Sequence, residues 1–255
     1  MAFPLRAQKR TLILGHRGAK GYAPENTFPS FQKALQLGVD LIELDVHITR
    51  DGRIVVCHDD SLERTTGLRK LIGESTWEEI QGLDAGKWFG PEFAGARIPL
   101  LEEVLEWARG KTPVVVEIKR GFGEREDIVE RTVEIIRDCG MESEVEIISF
   151  DHRFVRRAKE IAPEIAGGIL YVGALVDPVR AARDALADAI HPHFAYVDKA
   201  LIERAHEAGL AVSTWVVNEP EIARLLASWG VDCIGSDYPD RIRRALESGQ
   251  LQALT

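Results

Sequence analysis

The sequence predicts an α/β protein with a single domain over residues 1–255, folded as a (β/α)8 barrel of the TIM type. Short apolar runs alternate with longer segments of helical period, which is the pattern of parallel strands covered by helices. Nine such runs occur, close to the eight strands that a barrel requires. With 255 residues and 45% hydrophobic content, the chain is also long enough to build one large core.

The candidate strands are nine short segments. In chain order they are Thr11–Gly15, Leu41–Asp45, Arg53–His58, Val114–Lys119, Val145–Phe150, Gly168–Val172, Phe194–Val197, Ala211–Val217 and Asp232–Ser236. Only Asp51-Gly52 separates the third segment from the extension of the second, and Asp-Gly is a strong signal for a two-residue hairpin. A parallel crossover would need about a dozen residues or more. We therefore expect the third segment to run antiparallel, with Asp45 facing His58, which leaves eight strands for the barrel.

Amphipathic segments follow the eight barrel strands. They are Thr27–Leu37, Leu100–Arg109, Glu124–Cys139, His152–Ile161, Pro178–Ala189, Lys199–Ala208, Glu219–Trp229 and Arg241–Ser248. Glycines mark the ends of several of them, for example Gly38 and Gly140. Residues 59–99, from Asp59 to Pro99, fit no strand–helix unit, and we expect a small insertion there, beside the mouth of the barrel.

Charge and cysteine content limit the partners and the compartment. The net charge of −9 argues against a nucleic-acid partner and against stable membrane association, because both need a basic surface. A single small phosphate ester needs only a local positive site. The three cysteines, Cys57, Cys139 and Cys233, show no C-x-x-C spacing and read as core thiols in a reducing compartment. Because Met1–Arg10 contains no apolar signal region and no run of about 18 apolar residues occurs anywhere, we expect a cytoplasmic protein.

The side chains best suited to chemistry fall at predicted strand ends, where barrel enzymes carry their active sites. His16 and Arg17 follow the first strand. Glu43 and Asp45 end the second strand two residues apart, so their side chains share one face. Glu117 and Lys119 repeat this spacing on the strand after the insertion. The sequence therefore predicts that these groups converge at the mouth of the barrel.

Three converging carboxylates without thiolates or paired histidines favour Mg²⁺ or Ca²⁺ over Zn²⁺. One divalent ion would also offset the repulsion among them. Histidines close to such an ion can act as general base and general acid, while Arg17 and Lys119 hold an anionic oxygen. This combination suits phosphoryl transfer, in which positioning and charge stabilisation do most of the work.

A set of short motifs runs in order from the first strand to the last. They are His16-Arg17-Gly18, Pro24-Glu25-Asn26-Thr27, Glu43-Leu44-Asp45-Val46, Asp51-Gly52, Val56-Cys57-His58-Asp59, Arg64-Thr65-Thr66, Glu117-Ile118-Lys119, Ser149-Phe150, Thr214-Trp215-Val216-Val217-Asn218 and Ser236-Asp237-Tyr238-Pro239. Each motif alone is weak evidence. Together, at these spacings and over essentially the whole chain, they resemble the glycerophosphodiester phosphodiesterase family.

The resemblance implies a metal-dependent barrel enzyme that cleaves glycerophosphodiesters, for example glycerophosphocholine or glycerophosphoethanolamine, to glycerol 3-phosphate and an alcohol. The roles it implies are these: Glu43, Asp45 and Glu117 bind the metal, His16 and His58 form the acid/base pair, Arg17 and Lys119 contact the phosphate, and Trp215 packs against the glycerol end. Two departures from the family pattern, Ser236 in place of a common Thr and the additional His47, concern substrate detail rather than chemistry.

Other interpretations of the same residues remain open at this point. A metal-dependent sugar isomerase or aldolase also gathers carboxylates and a lysine at strand ends. A noncatalytic phosphate-ligand binding protein is the other alternative, although it would more naturally lack at least one of the two histidines or three carboxylates. Glu25 and Asn26 could simply cap the first helix around Thr27, and Trp215 could belong to the core. His191, His193 and His206 have no acidic neighbours in the sequence pattern, so we interpret them as structural or surface residues.

Overall fold

The computed structural model describes residue 5, residues 10–122 and residues 125–252. Eight parallel strands close into a barrel in the order β1, β2, β4, β5, β6, β7, β8, β9, and β9 pairs again with β1. The strands are β1 Leu12–Gly15, β2 Leu41–Ile48, β3 Ile54–Val56, β4 Val114–Ile118, β5 Val145–Ser149, β6 Ala166–Tyr171, β7 Ala189–Pro192, β8 Ala211–Thr214 and β9 Cys233–Ser236. The predicted (β/α)8 class is confirmed.

Helices cover the outside of the barrel. They are α1 Phe28–Gln36, α4 Leu101–Ala108, α5 Ile128–Asp138, α6 His152–Ile161, α7 Pro178–Asp184, α8 Lys199–Glu207, α9 Pro220–Ser228 and α10 Pro239–Gln252, with the short α2 Glu63–Thr66 and α3 Trp77–Ile80 in the insertion. Aspartates cap several of them, as Asp198 does by accepting from the backbone N–H of Leu201. The predicted start of α5 at Glu124 and most of Met1–Arg10 lie outside the described residues.

The apolar side chains form three main layers. Two lie between the strands and the helices, one on each half of the barrel. The third fills the barrel interior, where Leu12, Leu14, Leu41, Val115 and Ile148 pack together. Because inward side chains close the lower part of a barrel, polar groups collect at the carboxyl ends of the strands. The three cysteines are buried free thiols, as predicted.

The seventh strand differs from the prediction. We expected it at Phe194–Val197, but β7 is Ala189–Pro192, and Phe194–Tyr196 forms a 3₁₀ turn. The preceding helix is correspondingly shorter, because it ends at Asp184 and Leu186 takes a positive φ of 57°. Glycine usually occupies this conformation at the end of a helix, and leucine rarely does. The sequence therefore carries no signal for the end of this helix.

The hairpin between β2 and β3 is antiparallel as predicted, but its register differs by one residue. Val46 pairs with Val56, and the backbone N–H of Cys57 donates to the carbonyl of Asp45 over 3.0 Å. Asp45 therefore faces Cys57, and the expectation that it faces His58 is wrong. The turn holds three residues rather than two, with Gly52 at a φ of +82°, a recognised alternative hairpin geometry.

The insertion has its own small hydrophobic cluster, which includes Leu62, Ile72 and Ile80 and packs against Val55 of β3. It also carries Asp59 and Arg64, whose side chains reach the mouth of the barrel. Within the parts of the chain that the structure describes, no helix combines the length and the apolar character needed to cross a bilayer.

Candidate active site

A cavity of about 240 Å³ opens at the carboxyl ends of the barrel strands. Seven of the eight predicted site residues line it. The eighth, Asp45, lies 3.2 Å from Arg17 Nε and 3.4 Å from Lys119 Nζ. The lining consists of a polar group (His16, Arg17, Glu43, His58, Glu117, Lys119), two aromatic rings (Phe150, Trp215), an apolar inner wall (Leu14, Val115, Ile148, Leu170) and two further polar residues (His191, Ser213).

The three predicted metal-binding carboxylates converge. Asp45 on β2 pairs in register with Glu117 on β4, and Glu43 lies two residues earlier on β2. One oxygen from each residue lies within 4.8 Å of the others, and all three side chains are buried. The parallel pairing of β2 with β4 thus brings together groups that are more than 70 positions apart in the chain.

Burial and mutual repulsion shift the pKa values of these carboxyl groups. Burial and then Asp45 raise the pKa of Glu117 to about 7, and the same two influences raise the pKa of Glu43 well above its ordinary value. Burial opposes the ionisation of Asp45 too, but Lys119 and Arg17 outweigh it and lower the pKa of that carboxyl. Without a further cation, the cluster therefore retains protons close to neutral pH.

This donor set fits a hard divalent ion. All the candidate ligand atoms are carboxylate oxygens, which Mg²⁺ and Ca²⁺ prefer. Asp45 Oδ1 is buried and has no hydrogen-bond partner among the described residues, although Lys119 Nζ lies 3.4 Å away. A buried carboxylate oxygen without a hydrogen bond is costly, and a metal ion would supply the missing interaction.

His16 follows β1 and is held from one side. Its Nδ1 lies 2.7 Å from Asp237 Oδ1. Asn218 fixes this aspartate by donating from Nδ2 to Asp237 Oδ2 and accepting from the backbone N–H of Asp237, each over 3.0 Å. Because the carboxylate accepts the hydrogen on Nδ1, Nε2 is left with its lone pair in the neutral imidazole.

His58 has a similar partner from the insertion. Its Nδ1 lies 2.7 Å from Asp59 Oδ1, and Arg64 Nε donates to the other oxygen of Asp59 over 2.6 Å. Burial is the main cause that lowers the pKa of both His16 and His58, against the opposing effect of nearby aspartates. The neutral imidazole is therefore the favoured form of each ring in the ligand-free protein.

The two cations lie beside the carboxylates. Lys119 Nζ lies 2.7 Å from Glu117 Oε1. Arg17 donates its backbone N–H to Glu43 Oε2 over 2.8 Å, and its Nη1 to Glu25 over 2.9 Å. Arg17 has a φ of 50°, a strained conformation for a residue with a side chain. Such strain is common at functional sites, and here it points the backbone N–H at a carboxylate.

Glu25 and Asn26 do more than cap a helix. Thr27, at the start of α1, makes no side-chain cap. Glu25 bridges Arg17 and Arg64, while Asn26 Nδ2 donates to Asp45 Oδ2 over 2.8 Å. Both residues therefore help to orient the cation and the carboxylate at the centre of the site.

Trp215 follows β8 and forms part of the cavity wall. Its Nε1 donates to the carbonyl of His191 over 2.9 Å, and its ring lies edge-to-face against Phe150 with centroids 5.6 Å apart. A second edge-to-face contact, with His193, has centroids 5.4 Å apart, so one hydrogen bond and two aromatic contacts hold the indole. The residue also lines the cavity.

Sequence reasoning missed the acidic partners of three histidines. His191 Nε2 lies 3.0 Å from Glu146 Oε1, and His206 Nε2 lies 2.7 Å from Asp232 Oδ2. The expectation that His191 and His206 have no acidic neighbours is wrong. The sequence pattern did not reveal these partners because they lie 45 and 26 positions away in the chain. Asp237 was visible within a motif, but only the closure of β9 onto β1 brings it to His16.

Known proteins resemble this chain over most of its length. Residues 16–241 match the model of the glycerophosphoryl diester phosphodiesterase family. A curated glycerophosphodiester phosphodiesterase from Caldanaerobacter subterraneus subsp. tengcongensis is 38% identical over 94% of this chain and 99% of its own length.

Solved structures of phosphodiesterases also resemble this chain. A glycerophosphoryl diester phosphodiesterase from Silicibacter pomeroyi superposes with a TM-score of 0.88 at 30% identity, covering 96% of each chain. An Oleispira antarctica phosphodiesterase in complex with its product sn-glycerol-3-phosphate has a TM-score of 0.84 at 29% identity, covering 93% of this chain and 97% of its own. These matches favour the phosphodiesterase over the isomerase or aldolase and over the noncatalytic binding protein. The chain belongs to the glycerophosphoryl diester phosphodiesterase family and is a phosphodiesterase.

Proposed function

We propose that the substrates are small glycerophosphodiesters such as glycerophosphocholine and glycerophosphoethanolamine, and that the products are glycerol 3-phosphate and the free alcohol. The observation that carries this proposal is the convergence of three carboxylates, two histidines and two cations on one cavity. The product bound to the Oleispira antarctica relative is sn-glycerol-3-phosphate, which supports the same product here.

The proposed cofactor is one Mg²⁺ or Ca²⁺ ion held by Glu43, Asp45 and Glu117. When bound, such an ion stabilises negative charge on the phosphoryl oxygens. The support for this assignment is the oxygen-only donor set and the buried Asp45 oxygen that lacks a hydrogen bond.

Arg17 and Lys119 are the proposed phosphate contacts. Both lie on the cavity wall beside the carboxylates, and both are mostly buried, so their charges are weakly screened. In the ligand-free protein each is paired with a carboxylate. An incoming phosphodiester would therefore meet cations that are already oriented, which lowers the cost of organising the site for the reaction.

His16 and His58 are the proposed acid/base pair. One ring takes the proton from the attacking oxygen as the new P–O bond forms, and the other donates a proton to the departing alcohol oxygen as the old P–O bond breaks. Their aspartate partners bind Nδ1 in both cases, so Nε2 is the atom that exchanges protons. Each ring pairs its Nδ1 with an aspartate, so either can serve as the base or as the acid.

Trp215 is the proposed apolar contact for the glycerol end of the substrate. The insertion at residues 59–99 is proposed to shape the site for the alcohol, because it supplies Asp59 and Arg64 at the edge of the cavity. We propose that residues 1–255 form a single domain, which includes this insertion and contains the complete site.

The products test this function. Purified protein is incubated with glycerophosphocholine and Mg²⁺ or Ca²⁺, and the products are separated. We expect glycerol 3-phosphate and choline in equal amounts. Release of phosphocholine and glycerol would place the cleavage on the wrong P–O bond, and the absence of turnover on this substrate and on glycerophosphoethanolamine would exclude the proposed substrates.

A further inference from the structure

The inner end of the cavity contains polar groups that the proposed chemistry does not use. His191 on β7 and Ser213 on β8 line it, and the surrounding wall is apolar, with Leu14, Val115 and Leu170. In an apolar pocket, a few convergent polar groups fix the orientation and the identity of a ligand. These two side chains are thus candidates for substrate selection.

Behind His191 lies a buried carboxylate. Glu146 on β5 is fully buried and His191 is 3% exposed, and the Nε2 to Oε1 distance is 3.0 Å. The second oxygen of Glu146 has no hydrogen-bond partner among the described residues. A buried charged group costs several kcal/mol in desolvation, of which a single partner returns only part. Two apolar side chains in place of His191 and Glu146 would make this part of the barrel interior more stable.

The intervening strand makes room for the pair. β6 lies between β5 and β7, and it presents Gly168 at this level. A Cβ at this position would lie 2.6 Å from the ring of His191 and 2.8 Å from Glu146 Oε1. Three neighbouring strands therefore supply a carboxylate, a glycine and a histidine that fit one another. Such an arrangement is specific to this pair and is not general barrel packing.

The pairing sets the hydrogen-bonding state of His191. The carboxylate accepts the hydrogen on Nε2, so Nδ1 of the neutral ring is an acceptor. The Ser213 hydroxyl can donate or accept. Together the two side chains match the hydroxyl groups of a polyol, each of which donates one hydrogen bond and accepts others.

We propose that His191 and Ser213 bind the hydroxyl groups of the substrate's glycerol moiety, with Glu146 as the residue that positions His191. This inference rests on the proposed function. With the phosphate at Arg17 and Lys119, the glycerol extends inward and the alcohol faces the cavity mouth. Trp215 donates to the carbonyl of His191 and therefore flanks the same glycerol group.

Product inhibition provides the test, because it does not depend on which diester is turned over. Inhibition constants for glycerol 3-phosphate and for inorganic phosphate are measured on wild-type protein and on His191→Gln, Ser213→Ala and Glu146→Gln, with bis(p-nitrophenyl) phosphate as the reporter substrate. We expect the inhibition constant for glycerol 3-phosphate to rise about tenfold in each variant, the scale of one lost hydrogen bond in a buried site. The constant for inorganic phosphate should rise much less.

His206→Gln is the matched control. It alters a histidine–carboxylate pair of the same kind that lies on α8 outside the cavity, and it should change neither constant. Ser213→Ala removes a single oxygen and guards against failed folding of the larger changes. An equal rise in the two inhibition constants, or no rise in either, would overturn the inference. If wild-type protein is inhibited by glycerol 3-phosphate as predicted but turns over no glycerophosphodiester, the proposed function fails and the glycerol site stands.

Discussion

Asp237 Oδ1 lies 2.7 Å from His16 Nδ1, and this contact joins the last strand of the barrel to the first. The carboxylate makes Nδ1 of the neutral ring a donor and leaves Nε2 with its lone pair. Asn218 holds the aspartate from the loop after β8, so segments that follow three neighbouring barrel strands determine the orientation of one imidazole.

Replacing Asp237 with Asn should reduce kcat on the order of a hundredfold, the usual scale of an acid/base group that is wrongly oriented. The amide can donate to Nδ1 and thereby move the ring proton to Nε2, where a lone pair is needed. Steady-state kinetics on glycerophosphocholine measure the effect. Asp232→Asn, which alters the partner of His206, is the control. A wild-type kcat in the Asp237 variant would show that His16 needs no positioning.

Removing either imidazole tests the acid/base assignment itself. If each ring carries one of the two proton transfers, as proposed, His16→Ala and His58→Ala should each lower kcat by on the order of a hundredfold or more. His206→Ala removes an imidazole outside the cavity and should retain activity. A wild-type rate in either site variant would remove that residue from the mechanism.

The stabilising effect of the metal should increase with pH. The pKa of Glu117 is raised, to about 7, so its protonated form is favoured in the metal-free fold and stability is lost as the pH rises through that value. A metal ion needs the ionised form and offsets this loss. The rise in Tm caused by Mg²⁺ or Ca²⁺ should thus be larger at pH 8 than at pH 6. Differential scanning fluorimetry measures it, and an equal or opposite dependence would contradict the carboxylate assignment.

Gly168→Ala should destabilise the fold. The added Cβ meets His191 and Glu146 at distances shorter than side chains tolerate, and forced overpacking of this kind costs about 1–3 kcal/mol. Urea unfolding measures the free energy of unfolding. Gly82→Ala is the control, since a Cβ there meets no atom within 4 Å. Equal stability of the two variants would mean that the β5–β7 layer is loosely packed.

Periodicity and motif order were enough to predict most of this molecule. The barrel, the antiparallel hairpin and the convergence of Glu43, Asp45 and Glu117 follow from strand alternation and from parallel pairing. The register of the hairpin did not follow, because Asp-Gly fits a turn of two or of three residues. β7 was misplaced because its four residues, which include a histidine and a proline, carry little strand signal.

The sequence also did not predict the contacts between side chains from separate segments of the chain. Asp237 and Asn218 stand within motifs that did not reveal what they contact, and Glu146 stands in no motif. Each contacts its histidine or aspartate only once the barrel has brought their strands together, over separations of 19 to 221 positions. Local pattern therefore identified the groups that are proposed to do the chemistry, whereas the closed barrel was needed to identify the groups that hold them.

Metal dependence tests the central claim most directly. Hydrolysis of glycerophosphocholine is followed before chelation, after removal of divalent ions with EDTA, and after addition of Mg²⁺ or Ca²⁺ in excess of the chelator. We predict that activity is lost on chelation and restored by one or both ions, and that Glu117→Gln is not restored under the same conditions. Activity that is unchanged by EDTA would contradict the proposal that these three carboxylates hold a catalytic metal ion.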